Sequence, residues 1–483
     1  MEIDLPKRGR FGQCLSRLLP EENSQSETIE AQASEALAKV KQNGGSLATL
    51  RAVWESHSPV VWSHNRDIYR RAVDAALKLG ESFLAYDIAD EGLAYFPDEV
   101  RLLQLKALSL ARTGTTSGAN DILEELRKQG HDDEETMGIL ARTHKDLWML
   151  SSTEEEADYH LLQSLGFYLE GYESSGGYYT GINAASMALV AGETEKAEAI
   201  AREVSAICKE SLAKAPPDSG EFYWLEATAA EAALVVGDLA TASKFYLNAT
   251  TEHHPGAAEV SRTRSQARFL LQHLGQDKRQ LDDCFALPKI ALFSGHMFDQ
   301  PHRDIPRFPA AIENEVREAV EQAIQRHDIQ IGYCSLANGG DLLFAESLLK
   351  IGGEIHIVLP FSIKTFKKYS VQNPLAPNAE HRFDRVLDQA ATIRVLSEQG
   401  DPHDEAGYNY CNQVITGLAV LKSKFLGMDI APLLLWDHKK GDGGGGTESV
   451  FHSWSNHGER EVDILRIDQI LDEQLNNGLT LPK

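Results

Sequence analysis

Five short segments in the last third of this 483-residue chain carry residue types that can hold an anion or a sugar. The first is Ser294-Gly295-His296, where a glycine after an apolar run permits a tight turn and a ligand's close approach to backbone N–H groups. His296 beside it is placed to donate to a phosphate or a ribose. The second is Asn338-Gly339-Gly340-Asp341, running straight into the helical pattern from Leu342. Two glycines before a helix free its first amides for an anion, which the helix dipole also favours. Asp341 reads either as the helix N-cap or as an acceptor for ribose hydroxyls. The third is Pro360, which turns the chain after another apolar run. The fourth is the pair Tyr408 and Asn412, four apart and so on one helical face, suited to stacking on a base and reading its polar edge. The fifth is the glycine run ending in Gly444, Gly445, Gly446 and Thr447, a phosphate cradle at a helix start.

Each segment also has a plainer reading. The first is an ordinary strand-to-loop turn, and the glycine run is a linker. Tyr410, Val414, Leu418 and Leu421 mark a buried stripe that Tyr408 merely borders. Lys364, Lys367 and Lys368 read as a solvated helix face. If the site were catalytic, Glu346 or Glu448 would be the acid. The Walker, nucleophile-elbow, H-E-x-x-H and dinucleotide-fingerprint patterns are all missing, and the 17 histidines show no metal-ligand spacing. No metal and no resident cofactor is expected.

The elements that must position these segments lie in a stretch of alternating strand and helix. Apolar runs of strand length fall at 289–294, 329–334, 355–360, 392–396 and 430–436, with helical segments between them. Such alternation predicts a parallel sheet with helices on both faces, whose ligands bind at the carboxyl ends of the strands. That is where all five segments fall.

From Glu30 to Gly275 the pattern is helical almost throughout. One spacing recurs: Gly80 and Ala85, Gly114 and Ala119, Gly192 and Ala197, Gly237 and Ala242. Glycine suits the left-handed turn of a helical hairpin, and a small alanine early in the second helix lets the pair approach. The first two glycines are 34 residues apart, the tetratricopeptide period. Pro97 and Pro255 fall where second helices should end. The expected organisation is a lead-in over 1–29, a helical repeat domain over 30–275, a connector over 276–288, a Rossmann-like domain over 289–470 and a tail over 471–483. The fold class is α plus α/β: a tetratricopeptide-like solenoid followed by a Rossmann-like parallel sheet.

A net charge of −25 disfavours nucleic acid and anionic membrane as partners, since both need clustered Lys and Arg. The five cysteines lie far apart with no C-x-x-C pair, as free thiols in a reducing compartment would. No apolar run approaches a membrane span, and the opening residues show no signal-peptide core. The expected location is cytoplasmic.

Two resemblances add to this. Residues 135–148 and 178–189 (the latter TyrTyrThrGlyIleAsnAlaAlaSerMetAlaLeu) resemble the TRAF-binding helical domain described in apoptosis-signal-regulating kinases, although no kinase signature is present. SerGlyHis, AsnGlyGlyAspLeuLeuPheAlaGlu and ValLeuProPhe, in that order after three strands, resemble the SLOG superfamily over about Lys289 to Ile470. That group includes cytokinin-activating phosphoribohydrolases, the DNA-processing protein DprA and nucleotide-sensing domains of bacterial immune systems. The hydrolases carry P-G-G-x-G-T-x-x-E after their fourth strand. Here that position holds residues 400–408 without the glycine pair, and Val450 stands where the catalytic Glu would fall after the later glycine run. The resemblance therefore implies a bacterial signalling or defence-type protein. Its sheet domain would bind a nucleotide-derived signal, and its repeats would engage a protein partner or a second copy. The rivals are a nucleotide N-glycosidase and a pure protein scaffold.

Overall fold

The computed structural model describes residues 22–43, 45–214, 220–253, 255–301, 303–376, 378–439, 446–455 and 461–480. By packing, the chain divides into two compact units: one runs to His131 without residues 78–80, and the other holds those three residues and everything from Asp132.

The first unit is helical hairpins. Val100–Arg112 and Thr116–Lys128 pair across Gly114, and the helices Arg66–Lys78 and Ser82–Tyr95 meet through Tyr69, whose hydroxyl donates to Glu91 and whose ring lies against Tyr95. The second unit continues the theme with Tyr178–Val190 against Thr194–Lys214, and Phe222–Val235 against Leu239–Glu252. Each of the four spaced glycines has a left-handed backbone, with φ of +78°, +90°, +79° and +83° in chain order. Ala85, Ala119, Ala197 and Ala242 are completely buried. The repeat spacing thus works as its physics requires: the turn needs a residue without Cβ, and the helix crossing needs one with little more. Helices end at Tyr95 and Glu252, just before Pro97 and Pro255.

The second unit also holds a six-stranded, wholly parallel sheet: β1 Lys289–Gly295, β2 Ile329–Cys334, β3 Glu354–Leu359, β4 Thr392–Val395, β5 Ile430–Trp436 and β6 Asp463–Arg466. Their order is β4-β3-β2-β1-β5-β6. The sixth strand was not expected. Its four residues, AspIleLeuArg, hold only two apolar side chains, and it lies at the sheet's edge, where a strand needs only one paired neighbour.

Along the strands, side chains alternate between two cores. Ala291, Phe293, Ile355, Ile357, Leu433 and Leu435 face the helices Glu313–Arg326, Gly340–Lys350, Ala379–Gln389 and Ile467–Asn476. Ile290, Leu292, Tyr333, Val358, Leu434 and Trp436 face the helices Glu405–Leu426 and Thr447–Ser455. Ala258 of the helix Ala257–His273 joins this second core, so the last repeat helix packs on the sheet unit directly. Arg268 strengthens the junction with a two-pronged ion pair to Asp282 (2.8 and 2.5 Å).

The stripe read on the helix Glu405–Leu426 is one residue out of phase. Tyr410 and Leu421 are 57% and 50% exposed, whereas Cys411, Ile415, Ala419, Lys422 and Leu426 are buried. Both runs have helical spacing, and only the neighbouring sheet decides which faces inward. The expected solvated face of Lys364, Lys367 and Lys368 includes a π-helical turn at Lys367–Val371.

Around Gly114 nothing lies within 4 Å of where a Cβ would stand. Gly114→Ala should therefore lose only the backbone preference, roughly 1–2 kcal/mol. Ala119→Leu, which forces methyl groups into a closed helix crossing, should cost about 1–3 kcal/mol. Chemical denaturation of the full chain separates the two.

Candidate functional site

The strand order reverses between β1 and β5, and there a parallel sheet opens a crevice at its carboxyl ends. A cleft of about 400 Å³ occupies that place. This volume lies in the range of small-molecule sites. Its walls include Ser294, Gly295, His296, Asp341, Pro360, Tyr408, Asn412, Gly446, Thr447 and Glu448. Segments as far apart in sequence as Ser294 and Thr447, 153 positions, thus meet in one cavity. Gly444 and Gly445 lie outside the described residues.

Two of the proposed ligand residues are absent from the walls. Gly339 and Gly340 are buried, and their lack of side chains serves protein packing. A Cβ on Gly339 would stand 2.7 Å from both the His296 carbonyl oxygen and the Phe298 nitrogen, and φ there is +88°. A Cβ on Gly340 would stand 2.8 Å from the Gly295 Cα, and its amide already donates to the His296 carbonyl at 2.8 Å. Both glycines are thus pressed against the first turn, and the Gly340 amide is already engaged there. Sequence cannot separate the two uses, because backbone against backbone and backbone against ligand both require glycine.

The flanking polar residues complete this joint. Asn338 is buried, accepts from the Phe298 amide (3.0 Å) and donates to the Val371 carbonyl (3.2 Å). Asp341 is the second residue of its helix, whose N-cap is Gly339, so the capping role falls away. Its carboxyl accepts from the Gly295 amide at 3.0 Å and the Ala337 amide at 3.3 Å, tying the β1 turn to the β2 turn. Burial pushes its pKa up to about 7 against the lowering effect of those two amides.

A second joint closes the β5 side, built from residues not singled out in the sequence. Asp437 directly follows β5, and its carboxylate is held by Arg307 through Nε (2.8 Å) and Nη2 (2.7 Å). His296 Nε2 lies 3.0 Å from the same carboxylate. The turn is kept tight by Lys439, whose amide donates to Asp437 (3.0 Å), and by His438 in a left-handed conformation, φ +59°. Although burial resists the charge, Arg307, the Lys439 amide and His296 hold the Asp437 carboxyl well below the usual range. Burial lowers the His296 pKa, with Arg307 and Arg303 adding to that and Asp437 opposing it. Arg307 also anchors the loop locally, its amide donating to Asp299 at 3.0 and 3.2 Å. The available signal was an acid at the carboxyl end of a strand. Its arginine partner lies 130 positions earlier in an irregular loop.

The remaining walls follow the sequence reading. Ser294 Oγ reaches Thr447 Oγ1 at 3.4 Å, joining the end of β1 to the start of the helix Thr447–Ser455. Tyr408 packs edge-on to Phe361, ring centres 5.1 Å apart, and forms an aromatic wall near Asn412 and Ile415. Cys411 is no nucleophile: its thiol donates to the Val358 carbonyl, and burial pushes its pKa up to about 12. Glu346 lies elsewhere, in a network with Arg382 (2.8 and 2.7 Å) and Arg317 (3.0 Å). Those guanidinium groups outweigh burial and lower its pKa, which suits a structural anion and removes it as an acid for chemistry in the cleft. Among the described residues no group of three or more metal-ligating side chains occurs.

Residues 72–188 match the family model described as TPR-S, Tetratricopeptide Repeats-Sensor. That stretch is tetratricopeptide repeat. No curated protein matches the sequence. Among solved structures, a thermophilic TPR protein of Thermus thermophilus is 18% identical, the match covering 42% of this chain and 98% of that one, with a TM-score of 0.35. The human IFIT1 dimer with PPP-AAAA is 13% identical over 54% of this chain and 63% of that chain, with a TM-score of 0.35. BtubC from P. vanneervenii is 17% identical over 46% and 89%, with a TM-score of 0.29.

Two tests follow from the joints. Gly339→Ala should destabilise the chain by at least roughly 1–3 kcal/mol from backbone strain alone, with the clash added. Asp341 gives a pH signature. Folded, it keeps its proton to about 7; unfolded, it loses it near about 3.9. Between those values the folded state binds more protons, so this group's contribution to stability falls as pH rises from about 4 to about 7 and is flat above. Asp341→Asn lacks that slope. The stability difference, native minus variant, should decline across that window in urea titrations.

Proposed function

We propose that the cleft between β1 and β5 binds a nucleotide or nucleotide-derived small molecule, and that the tetratricopeptide repeats convey the bound state to a protein partner or a second copy. The observation that carries this reading is the convergence of Ser294, His296, Tyr408, Asn412 and Thr447 on one cavity at the reversal of strand order. A lining that combines the aromatic ring of Tyr408 with polar side chains suits a base and a sugar phosphate. Repeats of this kind support protein interaction or sensing. The SLOG resemblance supports the nucleotide assignment, and with the TRAF-binding resemblance it favours bacterial signalling or defence in the cytoplasm. No described helix is long and apolar enough to cross a membrane.

An N-glycosidase is the second reading, and one observation keeps it: Glu448 lines the cleft at the start of its helix. Glu346 no longer supports it.

Thermal-shift screening with AMP, ADP, ADP-ribose, NAD and cyclic dinucleotides tests the binding proposal. A true ligand at 100 times its Kd should add about 2.7 kcal/mol of stability. Asn412→Leu should remove most of that gain, and Glu346→Gln should leave it intact. If no member stabilises the chain, the scaffold reading replaces ours. If base release from NAD is seen by chromatography and lost in Glu448→Gln, the cleft is an active site.

A further inference from the structure

His296 has two ring nitrogens with different fates. Nε2 lies 3.0 Å from Asp437 Oδ1 and 3.4 Å from Arg307 Nη2. The shorter contact is to an ionised carboxylate, which accepts and cannot donate. Nε2 therefore carries the hydrogen. The neutral imidazole, which burial and the neighbouring arginines favour, then has a bare lone pair on Nδ1. Nδ1 takes no hydrogen bond among the described residues, yet it is not among the enclosed, unpaired polar atoms. On a residue that lines the cleft, that lone pair is open to an incoming molecule.

This differs from the sequence expectation, in which His296 donates to a phosphate or a ribose. A phosphate oxygen at Nδ1 would set acceptor against acceptor, while a hydroxyl would supply the missing proton. The ring cannot readily turn over to present Nε2–H instead, because that would break its bond to Asp437. Asp437 is fixed in turn by the two-pronged Arg307 contact and the Lys439 amide. The acceptor is thus held in place by three segments of the chain.

We propose that His296 is the specificity residue of the cleft: Nδ1 accepts a hydrogen bond from a ligand hydroxyl, so the site selects an intact ribose over a deoxyribose. This rests on the nucleotide reading and adds which part of the ligand lies at the β1 end.

The test uses the full chain and measures calorimetric affinities for AMP and ADP, each beside its 2′-deoxy and 3′-deoxy forms. In the native protein, removal of one of the two hydroxyls should weaken binding about tenfold, the worth of one hydrogen bond of about 1.4 kcal/mol. In His296→Phe that discrimination should fall to about onefold, whatever the affinity that remains for the deoxy form. His296→Gln, which keeps an acceptor oxygen, should restore part of it. A merely structural histidine would weaken all forms alike. If AMP or ADP binds and both deoxy forms bind equally well, or if discrimination survives in His296→Phe, the hydroxyl assignment is wrong and the nucleotide reading stands. If neither series nor any other nucleotide of the thermal-shift panel binds native protein, both fall together.

Discussion

The cleft depends on how closely two strand-end turns are drawn together. The turn after β1 passes over the turn after β2 with Gly295 against Gly340, and no side chain fits between them. The buried Asp341 carboxyl then receives one amide from each turn, Gly295 and Ala337. Backbone amides so deeply placed must find acceptors, and a single carboxyl on the first turn of a helix supplies both. Loosening this joint would move Ser294, Gly295 and His296 together, since they are consecutive residues of one turn.

The second joint has the opposite electrostatic character. Asp341 is a solitary acid held by neutral donors, so burial raises its pKa; Asp437 meets a guanidinium and stays charged. Their effects on the cleft differ accordingly. The floor near Asp341 need not carry a full negative charge at neutral pH. Asp437, behind the lining residues His296 and Arg307, has its charge balanced by Arg307. A protein with net charge −25 can in this way present a cavity that does not repel an anionic molecule.

What could be read from the sequence follows from how local each signal is. Gly80, Gly114, Gly192 and Gly237 were legible because a left-handed turn between helices restricts residue type within a few positions, and the buried alanines follow at a fixed offset. The first five strands were legible as apolar runs because both sheet faces are covered. The sixth was not, being short and at an edge. Tyr408 and Asn412 share the helix face that lines the cleft, although the neighbouring stripe was read one residue out of register. The pairing of Arg307 with Asp437 was out of reach, since no local pattern links a loop arginine to an acid 130 positions later.

The glycine pair at 339–340 shows the limit most clearly. The same four residues, Asn338 to Asp341, that support the SLOG resemblance turn out to be occupied with contacts inside the protein: Asn338 with Phe298 and Val371, the glycines with the first turn, and Asp341 with two amides. A motif of this kind shapes the cavity from behind. The cleft is lined instead by Ser294, His296, Tyr408, Asn412 and Thr447, with Thr447 beside Ser294. The chemical character of the cleft thus comes from the side chains that line it. In this chain the cleft presents an oriented imidazole backed by an ion pair, while the glycines beneath it serve the packing of the two turns.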